Sequence, residues 1–290
     1  MTSPASTAHA AEHGARLDVR GLRKVYTGRG EPVEAIKELT FEVKAGEMVC
    51  VVGPSGAGKT TLLRCMAGLL PATDGQVVLG DTPISGPPRG MAVVLQEYGR
   101  SLFPWMSVAR NVELPLKEKG LPRDERRQKV KEALAAVGLA DVPDSYPWQL
   151  SGGMQQRVAI ARAAAYEPQV LLMDEPFAAV DAQTRFDLED LVRSLWQRLG
   201  VTVVFVTHDI DEAIYLGERV LVLSARPTVV LEDVHVGLGA ERDQLTTRSD
   251  QEFARLRTHV YELVQAAKRG ARSVEDAHLT HPVKIGGDAR

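Results

Sequence analysis

Cysteine is nearly missing from this chain. Only Cys50 and Cys65 occur, with no spacing that would frame disulfides or a metal centre. They read as small buried apolar residues of a reducing compartment. Also missing is any run approaching the ~18 continuous apolar residues of a membrane span, and residues 1–15 lack the apolar centre of a secretory signal. Neither sign of charge dominates. A net charge of −3 argues against a nucleic-acid binder acting by bulk attraction to phosphate, because such a partner favours a basic domain. No internal repeat is found. Together these absences predict a cytoplasmic protein with no nucleic-acid partner. What remains is ordinary soluble composition, 44% apolar and 25% charged over 290 residues, enough for one large or two modest domains with a sizeable core.

The most informative stretch is residues 53–61, GPSGAGKTT, entered from the apolar run MVCVV and followed by the helix-like TLLRCMAGLL. Every fixed position of the G-x-x-x-x-G-K-[ST] phosphate loop is filled, in the strand-to-helix context the loop requires. Small residues allow successive backbone N–H groups to converge on an anion, and the N-terminus of the following helix adds partial positive charge. Gly53, Pro54, Ser55, Gly56, Ala57, Gly58 and Thr61 therefore read as the cradle of a nucleotide's phosphates. Lys59 would reach the β- and γ-phosphates, and the Thr60 hydroxyl would take a place on Mg²⁺.

Along the rest of the chain, residues 1–15 read as a disordered leader and order begins near Leu17. Short apolar alternations through residues 17–43 predict antiparallel strands; Tyr26 lies among them, suited either to packing or to stacking on a base. Residues 92–95 read as a buried strand ending at Gln96. Residues 100–165 turn helical, with Val130, Leu134 and Val137 at helical spacing, as an insertion between strands. Strand-like runs return at 170–173, 203–207 and 220–223, with a helix over 182–199 between the first two. Strands alternating with helices predict a parallel, right-handed doubly wound sheet. Its ligand is expected at the carboxyl ends of the strands, where Gln96, Asp174 and His208 all fall. Residues 252–268 read as an amphipathic helix, and residues 271–290 as a disordered tail.

The run VLLMDEP sets Asp174 and Glu175 at a strand end. Alternation along a strand predicts that their side chains diverge, Asp174 toward Mg²⁺ beside Thr60 and Glu175 toward an attacking water. An acidic helix start favoured by the dipole is the plainer reading of the same pair. Residues 150–157, LSGGMQQR, place Ser151, Gly152 and Gly153 at a helix start, which is either a simple N-cap or a second anion-binding end.

LSGGMQQR upstream of DEP resembles the signature of the ATP-binding cassette (ABC) ATPases. The resemblance covers about residues 17–231. It implies an α/β P-loop NTPase fold, with a RecA-like parallel sheet core, an N-terminal antiparallel β-subdomain and an inserted α-helical subdomain at about 100–165. Its domain limits would be 16–245, with a C-terminal helix at 246–270. By the same resemblance Tyr26 stacks on adenine, Gln96 senses Mg²⁺ and water, and His208 contacts the γ-phosphate. Asp181, in AAVD, matches the loop that crosses a dimer, with Ala178 and Val180 as mild departures. The family pattern also implies that Ser151, Gly152 and Gly153 cover the ATP held by a second copy of the chain, so that two ATPs are sandwiched between two cassettes and hydrolysis favours their opening.

One cassette per chain without a membrane span is similar to a separate-subunit bacterial importer ATPase, peripheral on the cytoplasmic face of the plasma membrane. QEYGRSLFPWMSVARNVELPL and EPFAAVDAQTR resemble the nitrate, sulfonate and taurine branch, implying integral-membrane permease subunits and, indirectly, an extracytoplasmic solute-binding protein. Leu102, Phe103, Pro104 and Trp105 form either an exposed apolar patch for a permease helix or packing of the helical insertion on the sheet. The alternatives are an importer for another small solute and a soluble ABC ATPase acting on a macromolecular complex, although the double cassettes, coiled coils or zinc hooks such soluble proteins carry are not seen. A P-loop kinase would leave the signature and His208 unexplained.

Overall fold

The computed structural model describes residues 14–28, 30–96 and 101–279. The uninterrupted apolar runs β3 (Met48–Val52), β7 (Val170–Asp174) and β8 (Thr202–Val206) are buried at every position. β9 (Arg219–Leu223) is buried at all but its first. Such runs suit the interior of a parallel sheet covered on both faces. They lie in a six-stranded sheet of order β10-β9-β3-β8-β7-β6. β3 pairs in parallel with β8 and β9, and β7 with β8 and β6.

Two details depart from expectation. The sheet is not wholly parallel: β10 (Val230–His235) runs antiparallel to β9 at one edge. Residues 92–95 are not a buried strand, since β6 (Met91–Val94) occupies the other edge and buries only Val94 fully. An edge strand has a neighbour on one side only, and that leaves it half-wet.

A second sheet, order β2-β1-β4-β5, is antiparallel as expected. The short runs of residues 17–43 join into two long strands, β1 (Leu17–Tyr26) and β2 (Val33–Val43), with register shifts around Gly21. β4 (Asp74–Leu79) and β5 (Thr82–Pro83) complete it. Alternation along β3 divides the core. Val49 and Val51 face a cluster shared with this sheet and with α1 (Lys59–Met66), whereas Met48, Cys50 and Val52 face the helices on the other side.

Between β6 and β7 lie α2 (Val108–Glu118), α3 (Arg123–Ala136) and α4 (Gly152–Ala165), which pack on one another. α5 (Ala182–Leu199) has the predicted limits, and α6 (Ile210–Leu216) follows β8. α7 (Gln251–Lys268) buries the predicted stripe of Phe253, Leu256, Val260, Leu263 and Val264.

The ends of the chain differ from the sequence reading. The expected leader mostly falls on residues 1–13, outside the described residues. Ala15, however, is pinned: its N–H donates to the Gln169 carbonyl at 3.3 Å and its carbonyl accepts from Thr202 Oγ1 at 2.7 Å. The tail expected to be disordered from residue 271 instead begins with a helix, α8 (Val274–Leu279), and buries Ala271 and Ala277. Small apolar residues seated on α7 are enough to fix so short a turn.

Candidate active site

β3 ends at Val52 and the chain enters the phosphate loop. Gly53 has no room for a side chain, because a Cβ there would lie 2.9 Å from the Leu223 carbonyl oxygen. Gly58, at φ 77°, takes the left-handed conformation that turns the loop into α1. Lys59, the first residue of α1, is buried and donates to the carbonyls of Gly53 at 3.0 Å and Pro54 at 3.3 Å. Burial pulls its pKa down, while the charges of Glu175 and Asp174 oppose the shift.

The carboxyl ends of β7, β8 and β6 supply the remaining groups. Asp174 closes β7, and its Oδ1 accepts from Thr60 Oγ1 at 3.3 Å; burial raises its pKa and the Thr60 bond opposes this. Glu175 has left the strand. Its φ of 42° is left-handed, and its N–H donates to the Val206 carbonyl at 2.8 Å. The expected divergence of the two carboxylates therefore comes from this turn and not from strand alternation.

Glu175 is the hub of the cleft. One carboxylate oxygen stands 3.8 Å from Lys59 Nζ, and the other lies 3.4 Å from Gln96 Nε2 and 3.2 Å from His208 Nδ1. At the rim the Tyr26 hydroxyl bonds Thr61 Oγ1 at 3.1 Å, and the residue is 42% exposed. Tyr26, residues 53–61, Gln96, Glu175 and His208 line one cleft of about 750 Å³, within the ~300–1,000 Å³ typical of small-molecule sites.

Ser151, Gly152, Gly153 and Asp181 are not in that cleft. Ser151 caps α4 and accepts the Met154 N–H at 3.3 Å. Asp181 caps α5, accepting the Thr184 N–H at 3.0 Å and its hydroxyl at 2.7 Å, and these bonds hold its carboxyl below the usual range. The two helix starts touch: a Cβ on Gly153 would fall 2.5 Å from Thr184 Cγ2.

Besides Ala35 on β2, three lining residues escaped the sequence reading: Arg226 in the turn after β9, and Val264 and Lys268 on α7. The first was accessible in principle, since β9 is a parallel strand whose carboxyl end meets the same sheet margin. Nothing local marks the other two. The apolar patch expected over residues 102–105 is also narrower than predicted. Leu102 joins the core at 2% exposure, and Trp105 stands out at 68%, tilted against Phe103 with ring centroids 5.3 Å apart. A further exposed aromatic, Trp148, stacks on Tyr146 just ahead of Ser151.

Chemically, the cleft joins a helix N-terminus and a lysine, which suit a polyphosphate, to a carboxylate and an imidazole placed for work on water. The ABC transporter family profile matches residues 36–178. An uncharacterized ABC transporter ATP-binding protein of Methanocaldococcus jannaschii is 45% identical over 250 residues, covering 86% of this chain and 91% of the relative. The chain belongs to the ABC transporter ATP-binding family, and it is an ATPase.

Other members of the family are similar over most of the cassette. A nitrate import ATP-binding protein of Synechocystis sp. is 42% identical, with coverage of 80% of this chain and 87% of the relative. A taurine import ATP-binding protein of Yersinia pseudotuberculosis is 40% identical, with 84% and 95% covered. Among solved structures, the dimeric cassette MJ0796 in a post-hydrolysis state bound to ADP and Pi superposes with a TM-score of 0.68 at 33% identity. That match covers 77% of this chain and all of the other. Among the described residues no helix is long and apolar enough to cross a membrane.

Proposed function

We propose that this cassette powers uptake of a small anionic solute of the sulfonate, taurine or nitrate type, through separate permease subunits fed by an extracytoplasmic solute-binding protein. It would sit peripherally on the cytoplasmic face of the plasma membrane. The import names of its Synechocystis and Yersinia relatives support this reading, as does the protruding Trp105, a docking point for a permease helix.

In the proposed mechanism the N–H groups of residues 53–61 and Lys59 bind the phosphates, while Tyr26 stacks on the adenine. Thr60 Oγ1 and Asp174 Oδ1, 3.3 Å apart, form a hard oxygen pair that fits Mg²⁺, with the Gln96 amide as a third oxygen donor. Bound there, Mg²⁺ supplies neutralisation of phosphate charge. Glu175 orients and deprotonates the attacking water, and His208 steadies Glu175 and meets the γ-phosphate. Ser151, Gly152, Gly153 and Asp181 complete the ATP site of a second copy, so that ATP joins two chains. Catalysis is then mainly positioning and charge stabilisation.

The observation that carries this reading is the convergence of Lys59, Gln96 and His208 on the Glu175 carboxylate. In Glu175→Gln, ATP binding should persist and turnover should fall at least ~100-fold, the scale of one lost general base, while ATP-loaded dimer accumulates on sedimentation. Undiminished hydrolysis would remove Glu175 from this role.

A further inference from the structure

Two cations outside every motif line the phosphate cleft. Arg226 stands in the turn between β9 and β10, and Lys268 is the last residue of α7. Neither side chain has a hydrogen-bond or ion-pair partner among the described residues. Long cationic side chains at a surface are commonly just solvated, so their backbones decide the matter.

The Arg226 turn is held from both sides. Thr228 Oγ1 donates to the Ala57 carbonyl of the phosphate loop at 2.6 Å and to the Ala35 carbonyl at 3.0 Å. Beyond α7, Arg272 donates to the carbonyls of Arg226, at 3.1 Å, and of Pro227. The Arg226 guanidinium in turn lies beside the loop, with its Nη2 3.6 Å from where a Cβ on Gly56 would be. α7 is equally fixed through its buried Phe253, Leu256 and Val260. Two positive charges with no partner among the described residues, both on anchored backbone, thus face a cleft already furnished with Lys59 and a helix N-terminus. A polyanion entering it meets all of these together.

We propose that Arg226 and Lys268 contact the β- and γ-phosphates of bound ATP, making the β9–β10 turn and the C-terminal helix α7 part of the nucleotide site. The inference rests on the reading of this cleft as the ATP site. It also gives the C-terminal segment a direct interest in nucleotide state, since the turn that bears Arg226 is tied to both the phosphate loop and Arg272.

The test uses the full chain and equilibrium titration with ATP and with AMP at several salt concentrations. The Arg226→Ala/Lys268→Ala double variant should weaken ATP binding about tenfold, the size expected of one or two charge-assisted hydrogen bonds, and flatten its salt dependence. AMP affinity should change by less than about twofold, and Arg226→Lys with Lys268 intact should retain part of the ATP affinity. Lys59→Ala separates the two claims. If it abolishes ATP binding while the double variant binds with wild-type affinity and salt slope, Arg226 and Lys268 are solvated bystanders and the cleft stands. If Lys59→Ala binds ATP normally, the cleft is not the ATP site. Equal losses for ATP and AMP would overturn the phosphate assignment. Should the double variant melt early, Lys268→Ala alone, at an exposed helix end, makes the same comparison.

Discussion

Glu175 shows how a single residue's backbone can matter as much as its side chain. A left-handed φ is uncommon outside glycine, yet it swings this carboxylate off the axis of β7 and into reach of Lys59, Gln96 and His208. A second carboxyl near His208 is governed by burial instead. Glu212, in the first turn of α6, is buried, and this pushes its pKa up to about 8, with the Thr207 hydroxyl opposing and the Asp209 and Glu189 charges adding to the rise. The folded chain then keeps a proton that the unfolded chain releases from an ordinary value of 4.5. Between those two pH values the native state binds more protons, so stability falls as pH rises through the window and levels off above about 8. Thermal midpoints measured from pH 5 to 8 should decline, at roughly 2–4 °C per kcal/mol lost for a chain of this size. Glu212→Gln, which stays neutral and can still bond Thr207, should flatten that slope; an unchanged slope would assign the decline to other groups.

Among the elements, those legible in the sequence were those with one strong local cause. Residues 170–173, 203–206 and 220–223 are apolar throughout, as suits a doubly covered strand, and residues 182–199 keep one apolar face between Asp181 and Gly200. The phosphate loop, Asp174, Glu175 and His208 were legible because a glycine pattern or a strand end marks each. β10 was missed because VLEDVH mixes charge into an edge strand, and α8 because six residues carry no periodicity. Lys268 reaches the cleft by tertiary packing alone, which no local pattern records. The turn before α2 adds a further lesson. The buried amide of Asn111 donates to the carbonyls of Phe103, Met106 and Ser107 and accepts the Phe103 N–H, so Trp105 is displayed from a rigid turn. Trp105→Ala should leave the isolated subunit's melting and ATPase activity unchanged and reduce its co-purification with permease subunits. Normal assembly would end the docking role.

For the whole molecule, what matters is which surfaces lie apart. The cleft around Lys59 and the helix start at Ser151 belong to different regions, and the latter is joined to the Asp181 cap through Gly153 and Thr184. If each ATP lies between two copies, the cleft and the signature end of one chain serve two different nucleotides. Genetics then supplies a test that structure does not. Lys59→Ala and Ser151→Arg chains, each inactive alone, should fall into separate complementation groups. A mixed pair keeps one intact site, made of the sound cleft of the second chain and the sound helix end of the first, and about a quarter of wild-type hydrolysis should return if pairing is random and sites act independently. Two defects located in one polypeptide would thus behave as though they lay in two genes.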